Sequence, residues 1–547
     1  WIVGSEVVWS ALIPAGAIAP DASRLAETAN GLNPLLHHFG MAIHPPTLYI
    51  GFVAFIIPFA FAVAALAVGD FTTSWIKASR RWTLIAWLFL SLGLLLGGRW
   101  AYDVLGWGGY WGWGPVENAA LLPWLVGTAL IHSSIIQEKR GMLKVWNMFL
   151  IIGTFSAVLF GTFATRSGLV ESVHSFARSN IGMPMFAFWA ITTIVGVGMI
   201  IWRWNRGELQ DEHHFTGLLS RESMFVLNNV IFVALTVAIF WGSFGAPISA
   251  ELFLDQPITL GVDYFNRVTP PLFAAMYLLM GVAPLSAWGA TSMARMGRAL
   301  AVPVLLTLAT LALILITGTR NLVALVGYGV VALSGYVALY EIYRGAAARS
   351  RTRSENLALA TLALFTRNRR RYGGYIVHLG ITVIGIGVIA STLFQVERQE
   401  TLTLGDTMQV DAEYQMRFDT FTSAIANDGR LMDIAEVTVI RNEREIARLR
   451  PRIDQFPSMP MTIAGAHSTI ENDFYVLLIP VEEFSTQRAT FKVYINPLVN
   501  LVWWGSLVLI LGTVISVWPN ERVPATLRQQ SRAAAPSSSK PAAGAVT

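Results

Sequence analysis

Repeated apolar stretches constrain this chain more than any other feature of its sequence. Of its 547 residues, 54% are hydrophobic and only 13% are charged, which is too apolar for a soluble domain to bury. The apolar residues are grouped in about 11 runs of the length that crosses a bilayer as a helix. The runs lie at 47–68, 82–98, 119–136, 145–164, 185–204, 225–244, 272–288, 302–317, 322–343, 375–393 and 498–518. The sequence therefore predicts an all-α polytopic membrane protein.

The charges between the runs predict how these helices are oriented. Lys77, Arg80 and Arg81, and the arginine-rich segment 344–371, lie in loops that the positive-inside rule assigns to the cytoplasm. The net charge of +5 is explained in this way and says little about nucleic acid. We expect contact with membrane lipid and no nucleic-acid partner. The chain has no cysteine, which excludes a disulfide, a thiolate metal site and a Cys-x-x-Cys-His motif of its own.

The apolar runs and the polar stretches between them divide the chain into four predicted segments. Residues 1–395 are predicted to be a transmembrane core, and 396–495 a small outer β-rich domain, because pieces such as AEVTVI and TFKVYI alternate polar and apolar residues. A last transmembrane helix is predicted at 496–518, followed by a disordered cytoplasmic tail at 519–547, which is rich in Ala, Ser and Pro. The chain begins at Trp1 in a sequence typical of the end of a membrane segment, so we expect that an N-terminal part is missing.

The segment 105–124, LGWGGYWGWGPVENAALLPW, is placed outside by the same topology. Its glycines are incompatible with a plain helix, and its aromatic rings present flat apolar faces that suit a large planar ligand. An aromatic belt at the membrane surface is the alternative, although interleaved glycines are not a belt feature. The candidate ligand-contacting residues are Trp107, Tyr110, Trp111, Trp113, Glu117, Asn118 and Trp124.

Histidines supply candidate metal ligands at two depths. His132 and His378 lie inside apolar runs, both towards the cytoplasmic leaflet, where two imidazoles could hold one b-type haem iron. A hydrogen bond to a neighbouring helix is the alternative for either residue. His44 and His174 are placed in outer loops on either side of the tryptophan-rich segment, where they could be axial ligands of a second haem. The other histidines are His37 and His38, spare candidates in the outer loop, and His213, His214 and His467, interpreted as solvated.

Several blocks of sequence resemble one known family, and they occur in the same order. GWGGYWGWGPVENAALLPW is similar to the tryptophan-rich WWD domain of haem-handling proteins. The blocks NPLLHHFGMAIHPPTLY, GTFATRSGLVESVHSFA, SRESMFVLNN, GVDYFN, GGYIVHLGITV and YINPLVNLVWWG are similar to the CcmF haem lyases of cytochrome c maturation. The resemblance runs from about residue 31 to 518. That family is longer at its N-terminus, in agreement with the expected missing part.

The resemblance implies a holocytochrome c synthase-type haem lyase in a bacterial inner membrane, with the tryptophan-rich segment and the β domain on the periplasmic side. His44 and His174 would bind the incoming haem over Trp107, Trp111 and Trp113, and His132 and His378 would hold a permanent haem b. The implied partners are a CcmE-like haem chaperone, apocytochrome c, thiol-presenting CcmH-like and CcmI-like proteins, and membrane quinol as electron donor.

One departure from the family concerns Gly114, which stands where the motif usually has Asp before Pro115. If that Asp orients haem in relatives, Glu117 or water must replace it here. Three alternative functions remain open. A haem exporter or chaperone-loading module would need no intramembrane histidine pair, and a b-haem quinol oxidoreductase subunit would leave the tryptophans unexplained. A secondary transporter would show internal repeats, and none is visible.

Overall fold

The structure, a computed structural model, describes residues 33–519 except 168–180, 215, 216, 218, 255–257, 290, 291, 428, 457, 458 and 481–486. The N-terminal residues 1–32 and the predicted tail from 520 onward lie outside this range. The helices are α1 Phe39–Ala54, α2 Ile56–Val68, α3 Ser74–Val104, α4 Pro115–Arg140, α5 Lys144–Arg166, α6 Gly182–Asn205, α7 Arg221–Phe240, α8 Ala246–Leu254, α9 Val262–Val282, α10 Met293–Ile316, α11 Leu322–Arg353, α12 Leu357–Arg367, α13 Arg369–Leu393 and α14 Asn500–Val517.

The described residues contain 11 helical segments that are long and apolar enough to cross a membrane. Helices α1 and α2 together make the first, and α7, a π-helical turn at Trp241–Gly245 and α8 together make the sixth. This confirms the polytopic helical membrane fold. Most helices extend several residues beyond the apolar runs, as α3 does at both ends, because a helix continues into the polar interface after its apolar window has ended. The short helix α12 was not predicted.

The first helix corrects one prediction. Helix α1 begins at Phe39 and runs through Pro45 and Pro46, although the sequence predicts that the span starts only after them. A proline has a backbone φ that suits a helix, so a helix can continue through it with the loss of one hydrogen bond. His44 therefore lies on a helix and not in a loop.

The loops fall at two opposite ends of the helix bundle. At one end, Glu138 forms ion pairs of 2.5 Å with both Arg80 and Arg370, and Glu341 pairs with Arg371 at 2.8 Å. The basic loops that the sequence assigns to the cytoplasm thus meet each other. The tryptophan-rich loop lies at the other end, in contact with the β-rich domain.

The β-rich domain is a sandwich of two antiparallel sheets. One sheet has the order β1-β10-β9-β8, and the other has the order β2-β3-β4-β6-β7 with β5 paired to β4. Side chains such as Phe418 and Phe491, whose ring centres are 5.0 Å apart, fill the space between the sheets. The strands are β1 Val396–Thr403, β2 Thr407–Gln409, β3 Tyr414–Ile425, β4 Leu431–Arg441, β5 Arg444–Leu449, β6 Arg452–Gln455, β7 Pro460–Ile463, β8 Gly465–Ser468, β9 Asn472–Ile479 and β10 Arg488–Pro497.

Glycines set the position of α13, the helix that carries His378. A Cβ on Gly380 would lie 2.5 Å from the backbone nitrogen of Leu509, and one on Gly512 would lie 2.6 Å from that of Val377. The backbones of α13 and α14 therefore touch along a seam of glycines, as small residues permit between membrane helices. This contact fixes the sandwich between two tightly packed helices, since one precedes β1 and the other follows β10.

Candidate functional site

The tryptophan-rich loop, residues 105–114, is held by the β sandwich. The backbone oxygen of Gly108 accepts hydrogen bonds from Gln395 Nε2 at 2.9 Å and from Asn496 Nδ2 at 3.1 Å. Gly108 has a φ of +68°, and a Cβ at this position would lie 2.6 Å from the ring of the buried Tyr494. Only glycine fits this arrangement, because both the backbone conformation and the space exclude a side chain.

A buried polar cluster fastens the end of α3 to the same sheet. The Tyr102 hydroxyl donates to Asp473, and Asn496 Nδ2 donates to the Tyr102 oxygen at 3.0 Å. Tyr475 donates to the Tyr102 carbonyl at 3.0 Å. The β domain therefore acts as a clamp that fixes the start of the loop, a role that its alternating sequence pattern did not reveal.

Glu117 closes the other end of the loop. Its Oε2 accepts hydrogen bonds from the backbone N–H groups of Gly112, at 3.1 Å, and Gly114, at 2.9 Å. Gly114 is the N-cap residue of α4 and has no side chain to cap it, so Glu117 supplies the carboxylate one turn into the helix. In this chain Glu117 thus orients the loop that carries the glycine in place of Asp.

Most of the predicted aromatic surface packs against the protein itself. Trp113 stacks on Phe265, with ring centres 5.1 Å apart and planes inclined by 6°, and its Nε1 donates to Asn266 at 3.2 Å. The Tyr110 hydroxyl lies 3.2 Å from Ser391 Oγ, and burial raises its pKa, so it stays protonated.

Two other predicted ligand-contacting residues also make internal contacts. Trp124 lies well inside α4, where it stacks on Trp87 and donates to Ser91 at 2.8 Å. Asn118 is fully buried and donates to the Trp113 carbonyl at 2.9 Å and to Ser243 at 2.8 Å. Both residues stabilise the helix bundle under the loop, and the sequence could not reveal this because Trp87, Ser91 and Ser243 are distant from them in the chain.

A cavity of about 260 Å³ lies beside the loop. Trp111 lines it, and the Nε1 of this residue is buried without a partner in the described residues. His44, Glu117 and Arg166 also line it. The volume is slightly below the range of about 300 to 1,000 Å³ typical of ligand pockets. Trp107, which is 39% exposed, offers a further surface outside the cavity.

His44 is oriented within this cavity by α3. Its Nδ1 lies 2.8 Å from the Gly93 carbonyl oxygen, which can only accept, so Nδ1 carries the proton and Nε2 the free lone pair. Gly97 makes room for the ring, because a Cβ there would lie 2.6 Å from His44 Cε1. Gly93 and Gly97 form a Gly-x-x-x-Gly pair, a sequence signal of close helix packing that points to this contact.

The second outer histidine, His174, lies outside the described residues. Thr165 and Arg166, the last residues of α5, line the cavity, and the described chain stops one residue later.

The two intramembrane histidines, on α4 and α13, lie next to each other. The ring centres of His132 and His378 are 6.4 Å apart and the ring planes are inclined by 15°. His132 Nδ1 donates to the Thr128 carbonyl at 2.8 Å, which leaves its Nε2 lone pair free. Phe225 and Phe232 from α7 surround the His132 ring at 5.8 and 6.3 Å.

This pair fits a haem iron. Two imidazoles on opposite sides of one metal have ring centres about 6 Å apart, since each metal–nitrogen bond is about 2 Å long and each ring centre lies about 1 Å further. The observed separation agrees with this value. His378 Nδ1 is buried without a hydrogen-bond partner in the described residues.

The remaining histidines have ordinary structural environments. His38 is the N-cap of α1 and accepts from the Gly40 N–H at 3.1 Å, and the His37 ring contacts Phe456 at 5.4 Å. His213 and His214 are exposed, and His467 lies on β8. None of these described histidines lines the cavity or approaches the inner pair.

Comparison with protein families matches two parts of the chain. Residues 9–170 match the model described as cytochrome C assembly protein, and residues 393–497 match the model described as the CcmF C-terminal beta-sandwich. The second match covers the β domain that clamps the loop.

Individual relatives cover most of the chain. The cytochrome c-type biogenesis protein CcmF of Pseudomonas aeruginosa is 36% identical over 89% of this chain and 72% of its own length. The Escherichia coli CcmF is 33% identical over the same shares of the two chains. A solved structure named cytochrome c heme lyase CcmF superimposes with a TM-score of 0.70 at 28% identity, covering 88% of this chain and 73% of that chain.

Proposed function

Because the chain belongs to the CcmF family of cytochrome c-type biogenesis proteins, we propose that it is a haem lyase that attaches haem to the Cys-x-x-Cys-His motif of apocytochrome c. The observation that carries this proposal is the pairing of two sites in one helix bundle. A cavity lined by His44 and Trp111 lies beside the loop, and the neighbouring rings of His132 and His378 lie deeper.

The outer site receives haem as substrate. Trp107 and Trp111 offer apolar faces to the porphyrin, and His44 offers a free Nε2 to its iron, with His174 as the second axial ligand. Because this chain has no cysteine, both thiols come from the apocytochrome. Each thioether forms when a cysteine S–H adds across a vinyl C=C bond, with the sulfur on one carbon and the hydrogen on the other. This addition needs no net electron, so alignment of haem and thiols by the site supplies most of the catalysis.

In this proposal, His132 through its Nε2 and His378 would hold a permanent haem b. When bound, this haem supplies one-electron reduction, drawn from membrane quinol, that keeps the incoming iron ferrous. The protein's own part is to fix the His132 ring through Thr128 and to exclude water with Phe225 and Phe232.

The proposed setting is a bacterial inner membrane, with the loop and the β sandwich on the periplasmic side. A CcmE-like chaperone would deliver haem there, and CcmH-like and CcmI-like proteins would present the reduced apocytochrome. The positive charge of the opposite end supports this orientation, since basic loops remain in the cytoplasm.

The alternatives are less compatible with the two sites. A haem exporter or chaperone-loading module has no use for an opposed intramembrane histidine pair. A quinol oxidoreductase subunit has no use for a cavity with His44 and Trp111 at the far end of the bundle.

Replacing His378 with Ala tests the inner site. We expect the purified variant to lose its b-haem absorbance, while His214→Ala, which alters an exposed histidine on the cytoplasmic side, keeps it. Full b-haem absorbance in His378→Ala would show that the ligand assignment is wrong.

His174→Ala and His44→Ala test the outer site. We expect both variants to keep the b-haem spectrum of the wild type and to lose cytochrome c assembly in cells. Normal assembly in either variant would refute its role as an axial ligand of the incoming haem.

A further inference from the structure

Arg221, the first residue of α7, is a cation without a carboxylate partner in the described part of the chain. Its Nη2 donates to the carbonyl oxygens of Pro284 and Ser286 at 2.9 and 2.6 Å. Its Nε is buried and makes no hydrogen bond to any described residue. The guanidinium lies 5.4 Å from the ring centre of Trp288, so the surroundings on this side of the guanidinium are an apolar ring.

The neighbouring acidic residue is engaged elsewhere. Glu222 pairs with Arg140 at 2.9 Å and accepts the N–H of Gly289 at 3.0 and 3.1 Å. Arg221 is therefore a partly buried charge with an unsatisfied donor at a membrane helix end. Such a charge is unfavourable unless an anion accompanies it.

Arg221 lies close to the inner histidine pair. Phe225, one helical turn further along α7, contacts His132 at 5.8 Å and Trp288 at 6.3 Å. The distance along the helix axis between Arg221 and Phe225 is about 6 Å. Arg221 thus lies at the edge of the aromatic surroundings of His132, on the side of the basic loops.

A second arginine approaches from α13. Arg371 lies one turn before Tyr375, which contacts His378 at 6.5 Å, and its guanidinium is 5.8 Å from the Tyr375 ring centre. Arg371 pairs with Glu341, but Glu341 is shared with Arg344 at 2.5 Å. Arg221 interacts electrostatically with Arg371 and Glu341. One cluster is therefore formed by three arginines and one glutamate, with a surplus of two positive charges: Arg221, Arg344, Arg371 and Glu341.

We propose that Arg221, assisted by Arg371, binds the propionate carboxylates of the haem held by His132 and His378. The carboxylate edge of the porphyrin then faces the basic loops, and the vinyl edge faces the tryptophan-rich loop. A carboxylate would satisfy the buried Nε of Arg221 and balance the surplus charge. This inference depends on the proposed inner haem site and adds the orientation of the porphyrin in it.

The test compares haemin with haemin dimethyl ester, in which both propionates are neutral. Protein purified from haem-depleted cells is titrated with each compound, and binding is followed by absorbance. A hydrogen-bonded charge pair corresponds to a preference for haemin of roughly 10- to 100-fold in the wild type. We expect Arg221→Gln to reduce this preference to within a few-fold and Arg221→Lys to retain part of it. Arg298→Gln, which alters an exposed arginine on α10, should retain all of it.

The outcomes separate the orientation from the haem site itself. If the wild type binds both compounds equally, the anion on Arg221 is another one, such as a lipid phosphate, and the inference is wrong. An unchanged preference in Arg221→Gln also overturns it. If Arg221→Gln does not fold, the comparison of Arg221→Lys with the wild type still decides. If haemin gives no b-type spectrum with the wild type, the proposed haem site fails, and the inference fails with it.

A redox titration gives an independent readout. Loss of a positive charge beside the haem disfavours the ferrous form, so the midpoint potential of Arg221→Gln should fall below that of Arg298→Gln. Equal potentials in these two variants would contradict a contact between Arg221 and the haem.

Discussion

Replacing Gly108 with Ala should disable the outer site and spare the inner one. The new Cβ would lie 2.6 Å from the Tyr494 ring, and Tyr494 is buried in the sandwich interface, so the ring cannot move away freely. Such overpacking costs about 1 to 3 kcal/mol. The left-handed conformation at φ +68° adds roughly 1 to 2 kcal/mol for a residue with a side chain.

The loop can relieve this strain by leaving the sandwich, which breaks the hydrogen bonds from Gln395 and Asn496 to the Gly108 oxygen. A cost of about 2 to 5 kcal/mol lowers the population of the docked loop by roughly 30-fold or more. The assay is cytochrome c assembly in cells, normalised to the b-haem absorbance of the purified variant. Gly109→Ala is the matched control, because a Cβ there meets no atom within 4 Å and its backbone is unstrained. Equal cytochrome c assembly by Gly108→Ala and Gly109→Ala would refute the conclusion that the β sandwich must hold the loop at Gly108.

Three further changes address other contacts. Gly97→Ala should displace the His44 ring, so cytochrome c assembly should fall while the b-haem spectrum persists. Assembly equal to that of Gly109→Ala would show that His44 does not need this fixed position. Tyr102→Phe removes the hydroxyl that donates to Asp473 and accepts from Asn496. The free energy of unfolding, measured by thermal unfolding with tryptophan fluorescence, should fall by about 1 to 3 kcal/mol. An unchanged unfolding midpoint would contradict this role. Trp124→Phe should keep both haem sites and lose about 1 kcal/mol of stability from its bond to Ser91; loss of haem transfer would instead assign Trp124 to the ligand surface.

The membrane-spanning part of the fold could be predicted from the sequence because each span is a local property. An apolar run of sufficient length must form a helix in a bilayer, whatever surrounds it. The depth of His132 and His378 followed from their positions in two such runs, and the structure brings the two rings together. The exception was α1, where Pro45 and Pro46 concealed the helix that carries His44.

The outer site was less predictable because it depends on which elements meet. The aromatic residues of the segment 105–124 looked equivalent in sequence, but of its tryptophans only Trp111 lines the cavity and only Trp107 is exposed. Trp113 and Trp124 find ring partners on α9 and α3. The partners of Glu117 are backbone N–H groups, which carry no sequence signal at all. The β sandwich was recognisable from its alternating polar and apolar residues. Its hydrogen bonds to the Gly108 oxygen come from Gln395 and Asn496, which are 287 and 388 positions away in the chain.

Helix α4 connects the two proposed sites, with Glu117 at one end and His132 fifteen residues later, which corresponds to about 22 Å along the helix axis. On the proposed orientation, an electron passed from an inner haem to the outer cavity would travel most of the way across the bilayer, from the negative to the positive side of an energised membrane. The membrane potential contributes roughly 1.5 kcal/mol per 100 mV to this transfer. In the proposed mechanism, the depth of the histidine pair would therefore couple haem reduction at the tryptophan-rich loop to the membrane potential.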